Sequence, residues 1–200
     1  MGILQVMKDD FKTFGATDVA VAVVLGIIAR AFMLIASPLA NVYLRGLGPA
    51  GDTINALLAY PILFGLVALA GAIRSNGLTA LVCAWVMAIV RSFTGDPFGI
   101  FALEAFTVGG IMAWFGMAAL RYKQTTVNWL LWSFLWATGI QIAFIFIWGV
   151  YPIYGSMQLG WAKLLTLDDI ITAVVMCAIV VGLSRKLSAV QGLKSVYKKV

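Results

Sequence analysis

The residues able to do chemistry are few, and they stand in costly places. Arg30, Arg91, Glu104, Asp168 and Asp169 are ionisable groups set in or beside long apolar runs, and Asn55, Tyr60 and Gln141 add polar groups to such runs. A charge at the middle of a membrane-crossing helix costs roughly 2.5–3.5 kcal/mol on insertion scales, so such residues face a bundle interior or a wet cavity. Two arrangements meet that demand. Arg30 and Glu104 form a structural ion pair while Arg91, Asp168 and Asp169 reach headgroups, or the whole set lines a polar pocket. Glu104 is the first choice as a ligand-contacting group, because a carboxylate is too short to snorkel far. Catalysis is poorly supplied. The chain has no histidine, the commonest general base and metal ligand. Asp168 and Asp169, one residue apart, point in different directions on a helix, which argues against a shared metal. No catalytic residue, metal or cofactor is expected.

Composition says what must position these residues. The chain is 62% hydrophobic and 11% charged over 200 residues, where a soluble domain averages about 45–50% and 25%. So few charges cannot cover a water-facing surface. The expectation is an all-α polytopic membrane protein, a six-transmembrane-helix bundle forming one domain over residues 1–200. A membrane barrel would alternate polar and apolar residues; these runs are apolar on every face. The segments are Val19–Ala36, Ile54–Ile73, Leu78–Ser92, Phe98–Leu120, Val127–Val150 and Leu167–Leu183, each near the length that crosses a bilayer. Residues 1–17 read as a cytoplasmic segment rather than a secretory signal, since their charges follow the first apolar patch. Residues 184–200 read as a basic cytoplasmic tail. Cys83 and Cys177 lie inside apolar runs, so no disulfide framework is visible.

Orientation follows from lysine and arginine. With the N-terminus in the cytoplasm, Lys8, Lys12, Arg74, Arg121, Lys123, Arg185, Lys186 and the tail lysines fall inside, against Arg45, Arg91 and Lys163 outside. The positive-inside bias therefore gives N-in and C-in. The net charge of +6 is mostly topology and attraction to the membrane surface, and no nucleic-acid partner is expected. In this frame every intramembrane ionisable group belongs to the outer leaflet, with Gln141 and Trp148 in the outer half of the fifth span. The outer loops Ser37–Thr53, Phe93–Gly99 and Tyr151–Thr166 are longer than the inner turns Arg74–Gly77 and Arg121–Thr126. Trp148, Tyr151, Tyr154 and Trp161 sit at the outer mouth, as an interfacial belt or as a lid that stacks on a flat ligand. Trp129, Trp132 and Trp136 face lipid or pack. Ala22, Gly26 and Ala29 form a small-residue strip, which packs within the chain or docks a partner membrane subunit.

This pattern resembles the substrate-binding S component of an energy-coupling factor (ECF) vitamin transporter. The stretch Gly95–Phe115, GDPFGIFALEAFTVGGIMAWF, is similar to the corresponding stretch of the S components for thiamine or its hydroxymethylpyrimidine precursor. There too a G-x-P-x-G turn introduces a glycine-rich fourth helix. The family's A-x-x-x-A strip reads here Ala22-Val-Val-Leu-Gly26. The resemblance implies a multi-pass protein of a prokaryotic plasma membrane that captures a vitamin-like small molecule. It also implies docking on a transmembrane T component served by two cytoplasmic ATPases, and the chain carries no G-x-x-x-x-G-K-[ST] phosphate loop of its own. For a thiamine-like ligand, Glu104 would accept from the aminopyrimidine, Trp148 or Trp161 would stack, and Asp168 or Asp169 would offset the thiazolium charge. Arg30, Asn55, Arg91, Gln141 and Tyr151 complete the expected pocket. The rival functions are a stand-alone transporter or channel, a membrane-embedded enzyme and an assembly scaffold. The first is opposed by the lack of an internal repeat and by an apolar inner half.

Overall fold

Apolar runs without alternation favour helix, which satisfies its own backbone N–H and C=O groups where water cannot. A computed structural model describes residues 2–44, 64–94, 101–123, 125–150, 167–190 and 196. They form α1 (Ile3–Thr13), α2 (Ala16–Leu44), α3 (Phe64–Arg74), α4 (Gly77–Phe93), α5 (Phe101–Ala119), α6 (Thr126–Val150) and α7 (Leu167–Ala189). Each of the six expected apolar segments overlaps one of α2–α7. The structure adds three details to these segments. The N-terminal segment is itself a helix, α1, because Ile3, Val6, Met7 and Asp10 recur on one face at helical spacing. Helix α2 continues through Pro38 to Leu44, so the start of the expected first loop is helical; a proline inside a membrane helix is tolerated because neighbouring groups re-satisfy the backbone. Helix α7 runs past Leu183 to Ala189.

The helices pack in the order α2, α4, α5, α6, α7, each against the next. Helix α3 fills the interior. Its Phe64 ring lies 6.1 Å from the rings of Phe106 on α5 and Trp136 on α6, Gly65 faces Ile179 on α7, and Gly71 faces Ala80 and Met117. Trp129, Trp132 and Trp136 are buried, so of the two alternatives for them the packing one holds.

Beside the buried Trp132, Trp136 and Phe106, small residues line many of the contacts and many branched or aromatic ones face out. Ala22, Ala29, Ala70, Ala84, Ala88 and Ala105 are fully buried, while Val24, Ile27, Ile28, Ile111, Phe115 and Val174 are exposed. A water-soluble core would invert this, because burying a large apolar side chain is what drives folding in water. In lipid that drive between helices is absent, and close backbone approach over small residues takes its place. One tight crossing joins α5 to α6, where a Cβ on Gly139 would lie 2.8 Å from the Gly109 Cα. The stretches Ala16–Ala36 and Ile170–Ala189 are long and apolar enough to cross a membrane, and Phe64–Arg74, Gly77–Phe93 and Leu103–Ala119 are shorter apolar helices. These features together describe a membrane protein.

Two tight reversals, α3–α4 and α5–α6, share one end of the bundle, called here the turn end. Ser75 (φ 46°) and Arg121 (φ 51°) adopt left-handed backbone. Each lets the next N–H reach back five residues, Asn76 to the Gly71 carbonyl and Tyr122 to the Met117 carbonyl, which closes the helix C-terminus. The Asn76 side-chain oxygen then accepts from the Leu78 N–H at 2.9 Å and caps α4.

Candidate functional site

The far end of the bundle, opposite the turns, carries the expected ligand-facing charges. Gly26 brings α2 close to α4: a Cβ there would lie 2.8 Å from the Cys83 carbonyl oxygen and 3.0 Å from Val86. That approach sets Arg30 on the last turn of α4, where its Nε and Nη2 donate to Thr94 Oγ1 at 3.0 and 2.8 Å. The Thr94 hydroxyl lies 3.0 and 3.1 Å from the Val90 and Arg91 carbonyls. Arg30 is only 8% exposed. Arg91 is half-buried in the same turn. Two guanidinium groups thus stand at the C-terminus of α4, where the helix dipole favours cations.

Glu104 is placed differently. It is exposed and falls in register with Val108, Ile111 and Phe115, the outward stripe of α5. Of the two described side chains, Arg30 turns to Thr94 on α4, and no ion pair joins it to Glu104 among the described residues. The structural ion pair expected for the Arg30–Glu104 couple is therefore not formed in this placement. Ala22, Gly26 and Ala29 are all buried, with Gly26 against α4. In this conformation α4 lies against the strip at Gly26, the intramolecular one of the two arrangements the small residues allow. Asp168 and Asp169 begin α7, and Gln141 and Trp148 lie in the second half of α6; their side chains are outside the described residues. Asn55, Tyr60, Tyr151, Tyr154 and Trp161 also lie outside them.

The turn end holds a polar network that sequence reasoning missed. The Asp10 carboxylate accepts from Trp114 Nε1 at 2.6 Å and from the Tyr122 hydroxyl. The Tyr122 oxygen in turn accepts from the Gly77 N–H at 3.0 Å, and Asn76 Nδ2 donates to the Asp10 carbonyl at 3.0 Å. Burial, reinforced by the neighbouring Asp10, pushes the Tyr122 phenol well above its ordinary pKa. Beside it, Asp18 accepts from Arg74 Nε at 2.9 Å, Thr79 Oγ1 at 3.1 Å and the Gly15 N–H at 3.0 Å. Arg74 also donates to the Val196 carbonyl. The N-terminal helix and the C-terminal segment are therefore fastened to the same turn.

Both carboxylates of the network accept from protein donors, so it fastens elements of the fold to one another. The adjoining cleft, lined by Met117, Tyr122, Lys123, Asn128, Trp129 and Trp132, has a volume of about 10 Å³, room for roughly one water and far below the several hundred Å³ of a vitamin site. No three His, Cys, Asp or Glu side chains come together to hold a metal ion among the described residues. One sequence signal was available for Asp10: it shares the apolar face of α1 with Ile3 and Val6.

Comparison with known proteins places this geometry. A family model described as "ABC-type cobalt transport system, permease component" matches residues 17–140. A solved structure titled "Crystal structure of an S-component of ECF transporter" superposes with a TM-score of 0.61 at 20% identity, over 88% of this chain and 84% of that one. That likeness is one of fold. No curated protein matches the sequence.

Proposed function

The chain belongs to the family of the permease component of ABC-type cobalt transport systems, and from that membership we propose that it is the membrane-embedded substrate-binding subunit of an uptake system powered by separate ATPases. In this proposal α2–α7 are six spans, and the turn end faces the cytoplasm of a prokaryotic cell. The presence of α1 and Val196 at one end supports the even span count, and the exposed Lys8, Lys12, Arg121, Lys123, Arg185 and Lys186 around that end support N-in and C-in. A transmembrane T component and two ATPases are the proposed partners.

The observation that carries the proposal is the division of charge between the ends. The carboxylates Asp10 and Asp18 are buried and occupied at the turn end, whereas Arg30, Arg91 and Glu104 sit at the far end, to which chain order also assigns the start of α7 with Asp168 and Asp169. A ligand arriving from outside meets this second set. The ligand is proposed to be an organic vitamin-like molecule, thiamine or its hydroxymethylpyrimidine precursor, rather than a bare cobalt ion as the family description suggests. Cobalt(II) takes imidazole and thiolate donors readily. This chain has no histidine, and its two cysteines are buried in the bundle.

The test is mass spectrometry of small molecules that copurify with the detergent-solubilised protein, followed by thermal titration with thiamine, hydroxymethylpyrimidine and Co²⁺. A ligand at a hundred times its Kd stabilises by about 2.7 kcal/mol. Stabilisation by one of the organic ligands and not by Co²⁺ supports the proposal; the reverse order overturns the ligand class. Glu104→Gln then decides whether the outward-facing carboxylate takes part.

A further inference from the structure

Helix α1 has two uses for its apolar arc. One flank, with Val6 and Asp10, meets the bundle, and Phe11 stacks edge-on against Trp114 with ring centroids 5.1 Å apart. The other flank is left outside: Leu4 is 72% exposed and Phe11 62%. Lys8 and Lys12, also exposed, adjoin this shoulder. The acidic residues nearby subtract little from the surface field, although Asp9 keeps about a third of its side chain exposed beside Lys12. Asp10 is buried in the bundle, and Asp9 is engaged by Gln5 and Lys12 at 3.0 and 3.5 Å. Only Phe14 and Gly15 separate α1 from α2, whose stretch Ala16–Ala36 is long and apolar enough to cross a membrane. Two extended residues span roughly 7 Å, so α1 has no freedom to leave the bilayer boundary. Interfacial helices seat their apolar face about 5–10 Å into that zone, with basic residues among the headgroups.

We propose that the Leu4–Phe11 shoulder of α1 seats in the headgroup layer of a leaflet containing anionic lipid, with Lys8 and Lys12 on the phosphates. Because Asp10 ties α1 to the α4 and α5 ends, this seat fixes the depth and tilt of the whole bundle, a role independent of the transported ligand. The test uses the full chain in phosphatidylcholine vesicles with and without phosphatidylglycerol. Leu4→Cys carries an environment-sensitive dye, Gln5→Cys on the polar face is the control, and nitroxide lipids quench from the upper acyl region. The expected result is quenching several-fold stronger at position 4 than at position 5, increased by phosphatidylglycerol. Adding Lys8→Gln and Lys12→Gln reduces the seating equilibrium by about fivefold per lysine, equivalent to about 1 kcal/mol each, in anionic vesicles only. Equal quenching at the two positions overturns the proposal, as does indifference to phosphatidylglycerol. Protection of position 4 that appears only on adding other membrane subunits also overturns it, since the shoulder is then a protein-docking face.

Discussion

Removing the Asp10 carboxylate should release α1 from the bundle. Asp10 is 5% exposed and receives Trp114 Nε1 at 2.6 Å together with the Tyr122 hydroxyl. Hydrogen bonds to charged groups contribute about 1.5–3 kcal/mol each, and a buried donor left without an acceptor costs about 1–3 kcal/mol. The two bonds share one carboxylate oxygen, so their losses do not add fully. Asp10→Ala is therefore expected to destabilise the attachment of α1 by about 3 kcal/mol. Asp10→Asn, which keeps an acceptor oxygen and the shape, should destabilise it by about 1 kcal/mol. The assay is hydrogen exchange of the full chain in detergent, read by mass spectrometry over residues 3–13. A loss of about 3 kcal/mol corresponds to exchange about 150-fold faster if α1 opens locally. Asp9→Ala, one residue away on the surface, should change exchange by less than about threefold, since surface substitutions stay within roughly 0.5 kcal/mol. If Asp10→Ala exchanges like Asp9→Ala, the network does not hold α1, and the seat argued for that helix loses its anchor.

Tyr122 gives the network an alkaline limit. Its pKa is raised by burial and by Asp10, so above about pH 10 the unfolded chain releases a proton that the native state keeps, and stability falls by about 1.4 kcal/mol per pH unit. Tyr122→Phe should remove that component from the alkaline melting profile while lowering stability at neutral pH by about 1 kcal/mol. Arg74→Leu leaves Asp18, which is 2% exposed, without its cation and should destabilise by about 3 kcal/mol; a cycle with Asp18→Asn in denaturant titrations should return at least about 1 kcal/mol of coupling. Gly109→Ala sets a methyl 2.5 Å from Ile140 Cγ1 and 3.0 Å from the Trp136 carbonyl oxygen, which should cost about 2 kcal/mol in thermal unfolding. Gly182→Ala, with nothing within 4 Å, should be neutral or stabilise by about 0.5 kcal/mol.

The helices were legible because lipid demands runs that are apolar throughout, a signal that needs no tertiary knowledge. The tight turns were legible for the same reason: Arg74–Gly77 and Arg121–Thr126 interrupt apolar runs abruptly. What stayed hidden depends on which side chains meet across the fold. Asp10, Trp114 and Tyr122 lie on α1, on α5 and in the α5–α6 turn, and nothing in their spacing announces that a carboxylate from the N-terminal segment closes over both. The strip of Ala22, Gly26 and Ala29 shows the same limit. Small residues at helical spacing declare that a backbone comes close, but whose backbone is a three-dimensional fact, and here α4 supplies it. The facing of Glu104 was hidden for a related reason. Depth along α5 was readable from sequence, whereas its direction around the helix required knowing that α4 and α6 cover the other faces.

Arg30 shows how the structure redistributes the proposed ligand contacts. A buried guanidinium among apolar helices invited a ligand role, yet its position on Thr94 at the C-terminus of α4 provides a structural reason for its charge. There it meets the negative end of a helix dipole, beside Arg91. A cationic ligand such as thiamine gains nothing from two guanidinium groups, and it needs carboxylates and ring faces instead. On the proposed function, recognition of the positive ring therefore passes to the segment from Trp148 through Asp169, where Tyr151 and Trp161 precede the two aspartates that open α7. Arg30 then serves to hold α2 against α4, and with Arg91 it keeps the far end from being uniformly acidic. This division makes a distinct demand on affinity: Arg30→Gln should weaken the α2–α4 contact and thermal stability before it weakens binding of a cation. Asp168→Asn and Asp169→Asn should do the opposite.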